Sequence, residues 1–188
     1  MDTRKLALPG LVLLRARRFG DARGYFTETY NERTFQAAGI KARFVQDNQS
    51  YSAKRGTIRG LHFQLPPRSQ AKLVRVLTGS VYDVVVDLRV ESPTYRRWVG
   101  ETLTAEGGEQ LFVPRGFAHA FCTLEPDTVV AYKVDEFYAP ESESGLIWND
   151  PTLAIAWPVA PDEVVLSDKD LTLRRFADFV SPFSYEGS

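Results

Sequence analysis

The residues with the clearest potential for chemistry are the two histidines of the chain, His62 and His119, and a lysine, Lys72, that follows the first histidine. His62 lies in the run RGLHFQ at positions 59–64, which has the length and apolar content of a β-strand. Histidine can accept a proton near neutral pH, and lysine can stabilise an anion. These residue types predict a polar acid–base site set into a β-structured core.

Side-chain alternation along the predicted strands places several of these groups on apolar faces. Lys72 falls on the valine face of its strand, His119 on the phenylalanine face of its strand, and Tyr132 on another valine face. In a closed or sandwiched all-β domain such faces point into one interior, so we expect the three to share a cavity. Each alone has an ordinary explanation as a packed ring, a satisfied core histidine or a lysine that reaches water. Together they favour a functional site.

Most of the remaining sequence has the pattern of β-strands separated by turns. Strands are predicted over residues 10–17, 25–30, 57–65, 72–77, 82–90, 98–103, 110–113, 117–122 and 130–134. An amide-rich run over 44–50 fits a turn or a strand edge, and equally fits a surface that hydrogen-bonds a polar ligand. This pattern favours an all-β sandwich or barrel.

Two short helices are predicted outside the strands. One covers residues 31–40, with Asn31 as its N-cap, and the other covers residues 171–179. Ser167 and Asp170 stand three residues apart before the second helix and resemble a capping box. From the sequence pattern alone, helix capping is the simplest explanation of Asp170.

Length and composition bound the class of protein. The 188 residues suit a single domain over 1–188, and a hydrophobic content of 44% is enough for a core. A net charge of −1 gives no reason to expect nucleic acid or a membrane as partner. The single cysteine, Cys122, fits a reducing compartment, and no apolar run approaches a membrane-spanning length. We therefore expect a soluble cytoplasmic protein.

Metal catalysis is the first alternative for inward-facing histidines in a β-barrel. Zinc or iron would require about three His, Cys or carboxylate ligands at short spacing. The chain has no His-x-His pair, because Gln64 stands two positions after His62. We therefore expect no metal and no cofactor, and metal-free acid–base chemistry remains.

Several segments, spread over nearly the whole chain, together resemble one known family. They are residues 19–28 (FGDARGYFTE), 44–48 (FVQDN), 59–62 (RGLH), 72–75 (KLVR), 114–119 (PRGFAH), 132–133 (YK), 148–151 (WNDP) and 166–170 (LSDKD). In order and at this spacing, the sequence resembles the dTDP-4-dehydrorhamnose 3,5-epimerase family of jelly-roll cupins. The resemblance implies an all-β double-stranded β-helix, the jelly-roll cupin fold, with a few short peripheral helices.

The resemblance also implies an isomerase mechanism. The substrate is a dTDP-4-keto-6-deoxyhexose, whose 4-keto group acidifies the hydrogens on C3 and C5. His62 would remove such a proton, made more basic by Asp170. Lys72 would stabilise the enolate oxygen, and Tyr132 would reprotonate carbon from the opposite face. The product would serve deoxysugar biosynthesis of the dTDP-L-rhamnose type.

A wider set of substrate contacts is implied in the same way. Arg59 and His119 are expected near the sugar and phosphates, and Phe19 against the base. The resemblance places Arg23, Glu28, Gln46, Asp47 and Asn48 at the nucleotide or its phosphates, Tyr138 in the sugar pocket, and Glu143 and Lys169 at its rim. Without it, Arg23 and Glu28 read as a surface ion pair. Family members are homodimers whose sites borrow residues from the partner's N-terminal strands.

Departures from the family pattern are few. Ala71 and Ala120 stand where glycine is common, and Cys122 where a larger aliphatic residue is common. None removes a residue assigned to catalysis. Three alternatives stay open: an epimerase acting at only C3 or only C5, a metal-dependent cupin oxygenase or isomerase, and a non-catalytic sugar-nucleotide binding protein.

Overall fold

A computed structural model describes residues 1–185 of the chain, and in it the predicted apolar runs form antiparallel strands. In chain order the strands are β1 (Asp2–Lys5), β2 (Val12–Arg15), β3 (Arg18–Asp21), β4 (Gly24–Thr27), β5 (Gln46–Ser52), β6 (Ile58–Gln64), β7 (Lys72–Thr78), β8 (Ser80–Asp87), β9 (Trp98–Thr104), β10 (Glu109–Val113), β11 (Phe117–Thr123), β12 (Thr128–Val134) and β13 (Glu143–Gly145). The helices are α1 (Glu32–Ala37) and α2 (Asp168–Leu171), with 3₁₀ turns at Pro140–Ser142, Pro161–Glu163 and Phe176–Asp178.

Two sheets face each other across the core. One has six strands in the order β1-β2-β10-β7-β12-β5, and the other has five in the order β13-β6-β11-β8-β9. The hairpin β3-β4 stands apart from both. Valines of β7 and β12 meet Val85 of β8 and two phenylalanines of β11 in the space between the sheets. This arrangement confirms the predicted all-β, cupin-like fold and brings the valine and phenylalanine faces into one interior.

The outer face of the five-stranded sheet is also buried. Phe176, Phe179 and Phe183 from the C-terminal segment pack on it, and the rings of Phe63 and Phe179 meet edge to face with their centroids 5.2 Å apart. Strands β8 and β11 are therefore covered on both faces. This explains why every residue of β11, Phe117–Thr123, is buried.

The prediction of a helix over residues 171–179 is wrong. Helix α2 ends at Leu171, Arg174 forms a bridge with Leu146, and a 3₁₀ turn follows. An isolated helix of this length is marginal in water, whereas burying one phenylalanine contributes roughly 1.5–3 kcal/mol. Laying the segment along the sheet buries Phe176 and Phe179, so tertiary packing prevails over local helix formation.

The N-terminal region follows the predictions with two corrections. Asn31 caps α1 by accepting hydrogen bonds from the backbone N–H groups of the first turn, as predicted. The strand predicted over residues 25–30 ends at Thr27. Arg23 pairs with Asp21 across the hairpin turn, and the Glu28 carboxylate accepts from Asn31, so the ion pair of Arg23 with Glu28 is not formed.

The helices of residues 1–185 are short, and none has the length and apolar character needed to cross a membrane.

Candidate active site

Side chains from both sheets line two adjoining cavities of about 240 Å³ each. His62 of β6, Lys72 of β7 and Tyr132 of β12 border both cavities, so they mark the junction. The first cavity is completed mainly by Gln46, Asn48, Gln64, Tyr138 and Glu143. The second is completed mainly by Arg59, His119, Phe121, Lys169 and Asp170. The two cavities thus differ in lining: amides and an acid in one, mostly basic groups in the other.

His62 forms a hydrogen-bonded pair with Asp170. Its Nε2 lies 2.6 Å from Asp170 Oδ1, and the His62 side chain keeps 30% of its surface exposed to the cavity, whereas that of Asp170 keeps 5%. Burial acts to raise the pKa of Asp170, but the bonds from His62 and the Gly60 backbone lower it overall. Asp170 is therefore an ionised partner, which orients the imidazole of His62.

The pairing also corrects the capping explanation of Asp170. Ser167 does cap α2, accepting from the Asp170 backbone N–H at 3.2 Å. The Asp170 carboxylate, however, forms its short hydrogen bond with His62. The cap therefore uses the backbone of Asp170 and leaves its side chain for the site.

Gly60 allows β6 to approach β11 closely enough to place His62. A Cβ at this position would stand 2.6 Å from the His119 carbonyl oxygen and 2.6 Å from the Ala120 Cβ. The backbone there has φ +123°, which side-chain-bearing residues rarely adopt. Only glycine suits this crossing.

Lys72 and Tyr132 supply two further proton-bearing groups. Lys72 is the first residue of β7, and its Nζ donates to the His62 carbonyl oxygen at 3.3 Å. Burial lowers the pKa of Lys72 to about 8, against the opposing charges of Asp83 and Glu143. Burial raises the pKa of Tyr132. Near pH 7 Lys72 is therefore mainly an ammonium ion, and Tyr132 is a protonated phenol.

His119 belongs to a second histidine–aspartate pair. Its Nε2 lies 2.9 Å from each carboxylate oxygen of Asp83, a residue of β8 with no exposed surface. Alternation puts Asp83 on the same face of β8 as the core residue Val85. Asp83 was not among the site residues predicted from the sequence. Its parity with Val85 was the available signal.

The rim of the first cavity is closed by a chain of polar contacts. Tyr138 Oη donates to Glu143 Oε2 at 2.8 Å, and Lys169 Nζ lies 2.5 Å from Glu143 Oε1. Burial would raise the pKa of Glu143, but bonds from Lys169 and Tyr138 lower it overall. Lys169 directly precedes Asp170 in α2. These polar contacts therefore connect the rim of the first cavity with the carboxylate that bonds His62.

Two glutamine side chains hold the backbone that carries Tyr138. Gln46 Oε1 accepts from the Tyr138 N–H at 3.0 Å. Gln64 donates from Nε2 to the Phe137 carbonyl at 3.2 Å and accepts at Oε1 from the Ala139 N–H at 2.8 Å. In the sequence, Gln64 is notable only because it stands where a His-x-His pair would have its second histidine. Its side chain instead fixes the loop at the mouth of the cavity.

The remaining residues of the predicted site fall into two groups. Arg59 lines the second cavity, and its guanidinium donates to Ser52 Oγ and to a neighbouring carbonyl. Asp47 has the opposite parity to its neighbours on β5 and pairs with Lys133 at 2.6 Å, away from the cavities. Phe19, Arg23 and Glu28 lie on the hairpin β3-β4 or just after it, and border neither cavity of the described chain.

Comparison with known proteins identifies what the chain resembles. A family model described as dTDP-4-dehydrorhamnose 3,5-epimerase matches residues 5–178. A protein named dTDP-4-dehydrorhamnose 3,5-epimerase from Pseudomonas aeruginosa is 49% identical over 179 residues, which cover 95% of this chain and 97% of the relative.

Solved structures give the same result at the level of the fold. The dTDP-4-dehydrorhamnose 3,5-epimerase from Bacillus anthracis, crystallised with TDP and pyrophosphate, is 52% identical with a TM-score of 0.90, covering 93% of this chain and 98% of its own. A dTDP-6-deoxy-D-glucose-3,5-epimerase from Legionella pneumophila, in complex with dTDP-4-keto-L-rhamnose, is 39% identical with a TM-score of 0.93, covering 99% of both chains.

Proposed function

Because the chain belongs to the dTDP-4-dehydrorhamnose 3,5-epimerase family, we propose that it inverts both C3 and C5 of a dTDP-4-keto-6-deoxyhexose for dTDP-L-rhamnose biosynthesis. One observation carries the proposal. A histidine backed by an ionised carboxylate, a protonated phenol and a buried ammonium group border one cavity from three different strands. Those are the groups that proton removal, enolate stabilisation and proton return require.

His62 acts as the base in this mechanism. A neutral imidazole that donates from Nε2 to Asp170 has its free lone pair on Nδ1, where it can accept the proton from C3 or C5. The carbon–hydrogen electron pair moves towards the 4-keto group and leaves negative charge on its oxygen. The Lys72 ammonium group stabilises that charge. Placing it in a site shielded from water strengthens the interaction.

Tyr132 completes the inversion by donating its phenolic proton to the same carbon from the opposite side. The separation of His62 and Tyr132 on strands of different sheets supports this division of roles. Solvent then returns a proton to Tyr132 and removes one from His62. Each inverted carbon therefore gains a hydrogen that originates from solvent.

The nucleotide part of the substrate extends from the catalytic groups. We propose that Arg59 and His119 contact the sugar and phosphates, that Tyr138 lines the sugar pocket, and that Glu143 and Lys169 form its rim. Phe19, Arg23, Glu28, Gln46, Asp47 and Asn48 take the nucleotide and its phosphates, Phe19 by packing on the base.

A homodimer reconciles this assignment with the position of the hairpin. Phe19, Tyr25 and Phe26 are 51%, 58% and 71% exposed on β3-β4, far more than is usual for clustered aromatic residues. We propose that this hairpin reaches the site of a second copy, where Phe19 and Arg23 bind the nucleotide. The protein works as a single-domain enzyme in the cytoplasm.

Deuterium incorporation tests the function directly. The purified protein, incubated in deuterated water with dTDP-4-keto-6-deoxyglucose, should place deuterium at C3 and C5. Label at one carbon would identify a single-position epimerase, and no label would reject the epimerase function. Metal analysis of the same sample is a parallel test, because activity proportional to bound metal would reject the metal-free mechanism.

A further inference from the structure

Asp83 is a buried carboxylate with an unusually small set of partners. Within residues 1–185, the only side chain that hydrogen-bonds it is His119. Asp87, which is equally buried on the same strand, is bonded by side chains of Arg89, Ser92 and Thr94. A buried carboxylate is costly unless it is paired with positive charge or well hydrogen-bonded. Asp87 meets that requirement through Arg89, whereas Asp83 has a histidine whose neutral form supplies no charge.

A positive charge close to this pair is that of Lys72, which borders the second cavity together with His119. It is buried, its one hydrogen-bond acceptor among the described residues is the His62 carbonyl, and Asp83 is the foremost charge that opposes the lowering of its pKa. Glu143 is the second such charge. Because Lys169 and Tyr138 already bond both oxygens of Glu143, its carboxylate is largely committed to the rim.

The other groups around Lys72 do not replace Asp83. His62 on β6 and His119 on β11 border the second cavity, and a histidine carries no negative charge in either protonation state. Tyr132 on β12 borders the same cavity as a protonated phenol. Arg59 carries a positive charge, and Asp170 is paired with His62. Asp83, which bonds His119 from the inner face of β8, is therefore the negative charge that is left to balance the ammonium group.

We propose that Asp83 is a positioning residue for the epimerisation, which holds the His119 ring and supplies the fixed negative charge that keeps Lys72 protonated. The hydrogen bond from His119 Nε2 to Asp83 also sets the tautomer, so a neutral His119 presents Nδ1 to the sugar as an acceptor of a hydroxyl proton. The claim that a protonated Lys72 serves the epimerisation rests on the proposed function. The claim that Asp83 balances the charge of Lys72 does not.

The first test measures the titration of Lys72 without substrate. The full chain, with lysine labelled by ¹³C at Cε, has six lysines, and a Lys72→Gln variant identifies the Lys72 resonance. In the wild-type protein this resonance should titrate near pH 8. The Asp83→Asn variant should lower that midpoint by about one pH unit or more, the usual effect of removing a close opposite charge. An unchanged midpoint would overturn the proposal.

Asp127→Asn is the matched control. Asp127 is exposed and bonds Tyr51 at the far end of β12, about 20 Å along the strand from the position opposite Lys72. Asp127→Asn removes one negative charge, as Asp83→Asn does, and should leave the pH midpoint of the Lys72 titration unchanged. If Asp83→Asn does not fold, the wild-type Asp83 Cγ resonance, identified by its absence in Asp83→Glu, is followed instead. It should shift as Lys72 titrates, and a flat response overturns the proposal.

The second test uses activity. The rate of deuterium incorporation should decline at alkaline pH in both proteins. In Asp83→Asn this decline should begin at a lower pH than in the wild-type protein. A uniform loss at every pH would indicate a merely structural role and would contradict the proposal. If no variant and no wild-type sample incorporates deuterium while the Lys72 midpoint still moves, the epimerase function fails and the charge balance stands.

Discussion

The two histidine–aspartate pairs are chemically alike and structurally different. Each joins a histidine Nε2 to a buried carboxylate, yet the His62 side chain is 30% exposed and the His119 side chain only 8%. His62 pairs with Asp170 of α2, outside both sheets, whereas His119 pairs with Asp83 of the adjacent strand. The first pair leaves a ring edge open to the cavity. The second is enclosed by the sheet that contains both partners.

The difference indicates how one pair of residue types serves two purposes. A base must reach the substrate and exchange its proton with solvent, which suits the accessible His62. A group that fixes the tautomer and balances charge gains from burial, because charges act more strongly where water is excluded. The His62–Asp170 pair therefore transfers protons, whereas the His119–Asp83 pair fixes the tautomer of His119 and balances the charge of Lys72.

The largest effect should come from removing the base. His62→Ala should reduce deuterium incorporation at both carbons by roughly 10²–10⁴-fold, the usual contribution of a positioned general base. Incorporation is followed by NMR of the sugar, and circular dichroism checks that the fold is intact. Undiminished exchange in His62→Ala would transfer the role of base elsewhere, with His119 as the first candidate.

Replacing the acid should separate proton removal from inversion. Tyr132→Phe keeps the ring and its packing and removes the donor, so His62 can still take a proton and return a deuteron to the same face. We expect some incorporation of deuterium with little inverted sugar. Comparing label with stereochemistry in one sample measures this, and full inversion in Tyr132→Phe would contradict the assigned donor.

Alkaline pH should weaken the wild-type enzyme through Lys72. Its pKa is lowered to about 8, so the ammonium group is present below that pH and is lost as the pH rises through it. The turnover number should therefore decline above about pH 8, while Lys72→Gln should be slow throughout and lack this step. The full pH profiles of both proteins provide the measurement. An alkaline step of the same size in Lys72→Gln would assign it to another group.

The smallest effect is expected at Gln64. A Gln64→Met substitution keeps the side-chain length and removes the two hydrogen bonds that Gln64 makes to the Tyr138 loop, at Phe137 and Ala139. KM should therefore rise several-fold with a smaller change in kcat. Gln36→Met is the control, because Gln36 lies exposed on α1 and its side chain bonds only Glu32 among residues 1–185. A loss confined to kcat would mean that the loop affects the chemistry rather than substrate binding.

The alternation of side chains along the strands predicted the shared cavity. It did not identify which face of a strand points inward where both faces are buried. Lys72, His119 and Tyr132 meet as expected. Asp83 escaped notice because an aspartate that alternates with valines looks like a solvent-facing residue. Only the packing of Phe176 and Phe179 on the other face makes the Asp83 face the inner one. The same packing explains why the prediction of a helix over residues 171–179 is wrong.

The pairing of Asp170 with His62 was predicted only through the family resemblance. Nothing local in the sequence connects Asp170 to His62, which are 108 residues apart, and its local pattern indicates a cap. The role proposed for the hairpin β3-β4 also follows from the resemblance rather than from local sequence. Within residues 1–185, Phe19 and Arg23 border neither of the two cavities. Local propensity describes elements, whereas such sites depend on how elements meet.

Comparing Asp170→Asn with Asp83→Asn tests the central difference between the two pairs most directly. Deuterium incorporation is measured for both variants and the wild-type protein at about pH 6.5, where wild-type Lys72 is mainly protonated, and at about pH 8, near the midpoint of its titration. We predict that Asp170→Asn is slowed by a similar factor at both values, since it loses the support of the base. Asp83→Asn should be slowed clearly more at the higher pH. An equal, pH-independent loss in both variants would contradict the account.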